Sequence, residues 1–151
     1  NPAPLTGQLM GVYDGNLIET VGDVLLNLGL ERAMVVHGDD GLDEITTTTT
    51  TTVCEVKNGK LYKYILNPSD YGIELCKPEA LVGGTPNDNA KIIVDILKGK
   101  GGPKRDIVVL NTGAALYVAK VVDSLKDGIK LARDLIYSGK AYDKYLELRS
   151  A

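Results

Sequence analysis

One stretch limits what this chain can fold into more than any other: an apolar run that ends abruptly in acid. Ala33-Met34-Val35-Val36 is short, apolar and bounded by polar residues. It therefore reads as a buried strand. His37-Gly38-Asp39-Asp40-Gly41-Leu42-Asp43-Glu44 follows at once, with five ionisable side chains in eight residues. The strand delivers these carboxylates to its own C-terminal edge, the side on which open α/β sheets bind ligands. Oxygen ligands on a loop suit a hard cation such as Mg2+, which binds through one or two carboxylates plus substrate phosphates. Asp43 and Glu44 form the leading pair, because in a loop both can approach one cation. A solvated loop with helix-capping acids is the competing reading. Asp39 and Asp40 are weaker candidates, since Asp-Gly pairs commonly build turns.

The flanking segments frame that strand. Asn1 to Thr6 is Pro-rich and reads as an extended loop. Gln8 to Tyr13 reads as a strand closed by the turn Asp14-Gly15. Asn16 then has the position of a helix cap, with Glu19 at capping-box spacing. Leu17, Val21, Val24, Leu25 and Leu28 recur at helical spacing, and Gly29 is placed to end the helix in a left-handed cap. With Met34 to His37 parallel to the first strand, this is a βαβ unit. Beyond the acidic loop lie seven consecutive threonines, Thr46 to Thr52, read as an exposed strand or loop. Val53 to Val56, the turn Asn58-Gly59 and Leu61 to Leu66 carry a hairpin signal.

Thr85-Pro86-Asn87-Asp88 is a capped helix start, with Ala90, Ile93, Val94 and Leu97 as its apolar face. Gly99-Lys100-Gly101-Gly102-Pro103 lacks the GxxxxGK[ST] order and is read as a connector loop. Asp106 to Leu110 reads as a third apolar strand, ending at Asn111 and followed by a helix from Ala114 to about Leu125. Asn111 either holds loop backbone or caps that helix. Two closing helices are separated by Gly139. The fold class is α/β: a mostly parallel sheet flanked by helices, with an inserted β-hairpin.

Composition removes several functions. With 151 residues there is room for one domain with a real core. A net charge of −3, scattered Lys and Arg, and no Trp or Phe argue against a nucleic-acid surface. No apolar run approaches the ~20 residues of a membrane span. Cys54 and Cys76 stand apart without a CxxC pattern and read as reduced structural thiols of a cytoplasmic protein. His37 is the only histidine, so a His-rich metal site is ruled out. Beside the carboxylates it could instead donate a hydrogen bond to substrate.

Several stretches, taken in order, resemble the anthranilate phosphoribosyltransferase family. They are Asn1-Pro2-Ala3, Gln8 to Tyr13, Val35 to Ile45, Asn67-Pro68-Ser69-Asp70-Tyr71-Gly72, Gly83 to Ala90, Asn111 to Leu116 and Ser138-Gly139-Lys140-Ala141. The resemblance runs over almost the whole chain. It implies a nucleoside phosphorylase/phosphoribosyltransferase-like α/β domain and transfer of phosphoribosyl from phosphoribosyl pyrophosphate to anthranilate, with release of pyrophosphate, in tryptophan biosynthesis. It implies that Asp43 and Glu44 match the acidic pair that holds Mg2+ against the pyrophosphate. It implies a homodimer when complete. The threonine run departs from the family's usual mix of Ser, Thr, Gly and Pro.

With its start at Asn1-Pro2-Ala3-Pro4, residues 1–151 are expected to be part of an α/β catalytic domain. The helical domain and the first part of the α/β domain, with its glycine-rich pyrophosphate loop, are expected to precede it. The piece alone is then expected to be inactive. A pyrimidine-nucleoside phosphorylase relative would use phosphate and would not favour adjacent Asp43 and Glu44. A non-catalytic binding or assembly module would show no metal dependence.

Overall fold

The computed structural model describes residues 5–150. The expected extended loop at the start of the chain lies, for residues 1–4, outside the described residues. Strand β1 (Gly7–Gly11) is followed by a 3-10 turn (Gly15–Leu17) and helix α1 (Ile18–Asn27). Then come β2 (Arg32–Gly38), β3 (Thr51–Lys57) and β4 (Lys60–Leu66). The remaining helices are α2 (Pro86–Leu97), α3 (Pro103–Val118), α4 (Leu125–Tyr137) and α5 (Lys140–Ser150). The sheet order is β1-β2-β3-β4. β1 and β2 run parallel, with Gly11 opposite Val36. The β2–β3 and β3–β4 pairs are antiparallel, so the sheet is mixed. The α/β class, the βαβ unit and the hairpin all stand as expected, and Asn58 and Gly59 both adopt positive φ at the hairpin turn.

Period-two alternation divides the core between the two faces of the sheet. Ala33, Val35, Cys54 and Val56 face α1 with Ile18 and Leu25. Met34, Val36 and Val53 face the larger cluster built on Leu110, Ala114 and Tyr117 of α3 and Ile129, Ala132 and Ile136 of α4. β2 is thus covered on both sides, which is why its sequence is continuously apolar. Cys54 and Cys76 are free thiols. No helix among the described residues is long and apolar enough to cross a membrane.

Four local expectations change. Asp106 to Leu110 is not a strand but the second turn of α3. Its buried residues Val109, Leu110, Gly113, Ala114, Tyr117 and Val118 repeat at helical period only over a longer window than the five residues that suggested a strand. Pro103, in the first turn after Gly102 at φ 119°, starts this helix. Asn16 does not cap α1; Asp14 caps the intervening 3-10 turn, its carboxylate accepting from the Asn16 N–H at 2.9 Å. The buried face of α1 is Ile18, Gly22 and Leu25, while Val24 and Leu28 are exposed. Gly22 lies where a β-carbon would come within 2.7 Å of Cys54 Sγ, so the closest helix–sheet contact falls on a residue without hydropathic signal. Ile92 and Ile96, not Ala90 and Ile93, pack α2 inward.

The α3–α4 crossing also rests on glycine. A β-carbon on Gly113 would lie 2.7 Å from the Ile129 backbone nitrogen, and one on Gly128 would lie 2.3 Å from the Gly113 carbonyl oxygen.

Candidate functional site

The acidic loop leaves β2 beside the end of β1 and is fastened at several points. The Gly38 N–H donates to the Leu42 carbonyl at 2.8 Å, and the Gly41 N–H donates to the Gly38 carbonyl at 2.8 Å. Gly41 sits at φ 93°, a conformation L side chains rarely adopt. The Asp43 carbonyl oxygen lies only 1.5 Å from where a β-carbon on Gly11 would stand, so β1 must end in glycine for the loop to cross it.

Asn111 closes the loop from the α3 side. Its Oδ1 accepts the Ile45 N–H at 3.0 Å, and its Nδ2 donates to the Ile45 carbonyl at 2.8 Å and to the Ile107 carbonyl at 3.0 Å. One side-chain amide therefore satisfies both polar groups of a peptide in a residue that is fully buried. Of the two roles open to Asn111 from sequence, holding loop backbone is the one observed, and it acts from mid-helix.

The threonine run is not an exposed strand or loop. Thr46, Thr47 and Thr51 are fully buried. Thr46 and Thr48 both donate their hydroxyls to Asp40 Oδ2, Thr46 at 2.6 Å. Thr50 and Thr52 donate to the two oxygens of Asp39, Thr52 at 3.0 Å. The threonines between them face inward: Thr51 Oγ1 accepts the Thr46 N–H at 3.1 Å, and Thr47 Oγ1 lies 3.6 Å from Cys76 Sγ. Sequence reasoning missed this zipper. Its only signal was an extended β-branched segment placed to alternate its hydroxyls opposite two aspartates.

Asp39 and Asp40 are thus committed to protein donors, whereas Asp43 and Glu44 are exposed and make no hydrogen bond or ion pair among the described residues. Burial alone would push the Asp40 carboxyl up, but hydrogen bonds from Thr46, Thr48 and the backbone amides of Leu42 and Asp40 outweigh it and hold it below the usual range. Glu44 goes the other way: desolvation, then the charges of Asp43 and Asp40, push its carboxyl up. A cation beside Asp43 and Glu44 would relieve that repulsion, so the donor set fits a hard divalent ion that takes its remaining ligands from water and substrate. Among the described residues no group of three or more His, Cys, Asp or Glu side chains is gathered to hold a metal. The protein offers two ligands, not a cage.

His37 Nδ1 lies 2.8 Å from the Val12 carbonyl, which can only accept, so Nδ1 carries the proton. With Nδ1 engaged there, Nε2 is the ring nitrogen left for a ligand.

A family model described as "Glycosyl transferase family, a/b domain" matches residues 1–142. The anthranilate phosphoribosyltransferase of Clostridium beijerinckii is 63% identical over 99% of this chain and 44% of its own length. The solved anthranilate phosphoribosyltransferase of Thermus thermophilus is 37% identical, with a TM-score of 0.87 over 100% of this chain and 45% of that one. The Saccharomyces cerevisiae enzyme, solved in complex with PRPP and Mg, is 26% identical, with a TM-score of 0.82 over 95% of this chain and 42% of that one. The chain spans less than half the length of the relatives it matches.

Proposed function

This chain belongs to the glycosyl transferase family through its a/b domain, and from that premise we propose that it is part of an anthranilate phosphoribosyltransferase. The reaction is transfer of phosphoribosyl from phosphoribosyl pyrophosphate to the amine of anthranilate, with release of pyrophosphate. Residues 1–151 form part of the α/β catalytic domain, and a helical domain with the rest of the α/β domain completes it. The complete protein is a cytoplasmic homodimer, and the 151-residue chain alone is inactive.

The observation that carries this reading is the adjacent pair Asp43 and Glu44 just past the end of β2, exposed and without a hydrogen bond or ion pair among the described residues, with the Glu44 carboxyl pushed up by desolvation and by the charges of Asp43 and Asp40. These two side chains would hold Mg2+, whose chemistry there is to neutralise negative charge on the departing pyrophosphate. Everything else falls to positioning and electrostatics by the chain's own groups. Gly11, Asn111 and the threonine–aspartate bonds fix the backbone from which the pair projects. His37, its Nδ1 spent on the Val12 carbonyl, has Nε2 left for a hydrogen bond to substrate.

The test supplies the chain with a relative's remaining polypeptide and follows the loss of anthranilate fluorescence in the presence of phosphoribosyl pyrophosphate. Turnover should need Mg2+, stop on chelation, and fall by about two orders of magnitude in Asp43→Asn or Glu44→Gln. Turnover that survives chelation and both substitutions would overturn the reading.

A further inference from the structure

We propose that Asp40, held by the hydroxyls of Thr46 and Thr48, is the positioning residue that aims Asp43 and Glu44 at their cation and is itself barred from ligating it. This rests on the cation reading of the acidic pair and extends it to residues that touch no ligand.

The four carboxylates between Asp39 and Glu44 look alike in sequence but are sorted by the structure. Asp40 Oδ2 accepts two hydroxyls, from Thr46 at 2.6 Å and from Thr48, while its Oδ1 accepts the Leu42 N–H at 3.2 Å. Both of its oxygens are therefore occupied by donors of the protein. Asp39 is engaged in the same way by Thr50 and Thr52, and its own N–H donates to the Thr50 carbonyl at 2.9 Å. To ligate a metal, either aspartate would have to give up hydroxyl bonds that close the loop. Asp43 and Glu44 carry no such bonds among the described residues.

The coupling is mechanical. The segment between Gly38 and Ile45 is pinned at both ends, by the β2 ladder and by the Asn111 amide. Between those ends two side chains tie it down: Asp39 is bonded by Thr50 and Thr52, and Asp40, nearer the acidic pair, bonds forward to Leu42 within the loop and outward to Thr46 and Thr48 beyond it. Thr46 is locked in turn: its N–H donates to Thr51 Oγ1, and its Oγ1 accepts the Thr48 N–H at 3.0 Å. Removing either partner of the Asp40 bonds frees Asp43 and Glu44 to rotate independently, although neither has been touched. Groups that orient metal ligands through hydrogen bonds typically cost about 10–100-fold in metal affinity when lost.

The chain carries its own control, because Thr48→Val removes a hydroxyl with little change of shape and Thr48→Ser keeps it. Mn2+ serves as the probe, with paramagnetic broadening of the backbone amides read residue by residue in the 151-residue chain. In the unsubstituted chain, broadening should centre on residues 43 and 44 and vanish in Asp43→Asn. Thr48→Val and Asp40→Asn should each need about tenfold more Mn2+ for the same broadening, with amide shifts outside residues 38–52 unchanged, and Thr48→Ser should restore the affinity. If Thr48→Val and Asp40→Asn bind as the unsubstituted chain does while Asp43→Asn fails, the positioning role is overturned and the cation reading stands. If Asp40→Asn abolishes binding as completely as Asp43→Asn while Thr48→Val has no effect, Asp40 is a direct ligand and the inference is overturned. If broadening ignores residues 43 and 44 altogether, the cation reading itself fails.

Discussion

The two ends of the sheet treat a carboxylate in opposite ways. At the end where β2 begins, Glu55 is 8% exposed and fully engaged: the Tyr117 hydroxyl donates to its Oε1 and the Tyr64 hydroxyl donates to its Oε2 at 3.1 Å. Arg32 lies 4.5 Å from the centre of the Tyr117 ring, and Lys57 lies 5.5 Å from it. Burial, together with the charge on Glu55, pushes both tyrosine hydroxyls up, so they remain donors throughout the physiological range. At the other end, Asp43 and Glu44 stand side by side with no protein donor and no nearby countercharge among the described residues. A buried acid with its donors built in is architecture. An adjacent pair left without donors is unbalanced charge, and the proposed cation site rests on it.

The contrast is best broken at its stable end. Tyr117→Phe leaves Glu55 buried with one charged hydrogen bond fewer, and urea denaturation should show a loss of about 2 kcal/mol. A loss no larger than that of a surface substitution would mean that the two ends do not differ as described. Gly11→Ala probes the other end sterically. Its β-carbon cannot coexist with the Asp43 carbonyl, so stability should fall by about 1 kcal/mol. Hydrogen exchange should then quicken at Leu42 and Ile45 but not in α4.

Acidification sharpens the comparison through sign. Asp40 is held below its ordinary range, so its contribution is present above the unfolded-state value and is lost as pH falls through the folded one. Glu44 is raised, so its ionised form costs stability at neutral pH, and the cost is relieved as pH falls through the folded value and is gone below the unfolded-state one. Asp40→Asn should therefore flatten the acid limb of a stability profile, while Glu44→Gln should lift the neutral plateau slightly. The reverse pattern would show that the loop carboxylates are not sorted as the hydrogen bonds indicate. The smallest effect belongs to Asp43→Asn, which should change stability by no more than about 0.5 kcal/mol while abolishing divalent-ion binding.

How legible all this was depended on the kind of signal. β2 and the hairpin were readable because burial on both faces and an Asn-Gly turn each leave a local mark. The α3 helix was misread because the four apolar residues Ile107 to Leu110 fit a strand as well as a helix, and only Gly102-Pro103 and the spacing out to Val118 separate the two. The packing face of α1 was displaced because its closest contact is Gly22, which carries no hydropathy to detect. The acids of the loop were visible, but which of them are free was not. That distinction lies in which hydroxyls of the threonine run reach Asp39 and Asp40, and seven identical residues carry no mark of it until the loop from Thr46 to Thr50 and the start of β3 are folded.

The glycine crossing of α3 and α4 has a consequence at the acidic loop. Because Gly113 and Gly128 bring the two backbones into contact, α3 has no side-chain cushion on which to slide. Asn111 projects from that same stretch of helix and grips the peptide of Ile45, immediately after Glu44. The acidic pair is therefore tied, through Asn111, to a closely packed pair of helices even though it sits in a surface loop. If the pair holds a cation as proposed, that ion would meet a site with little disorder left to be frozen out when it arrives.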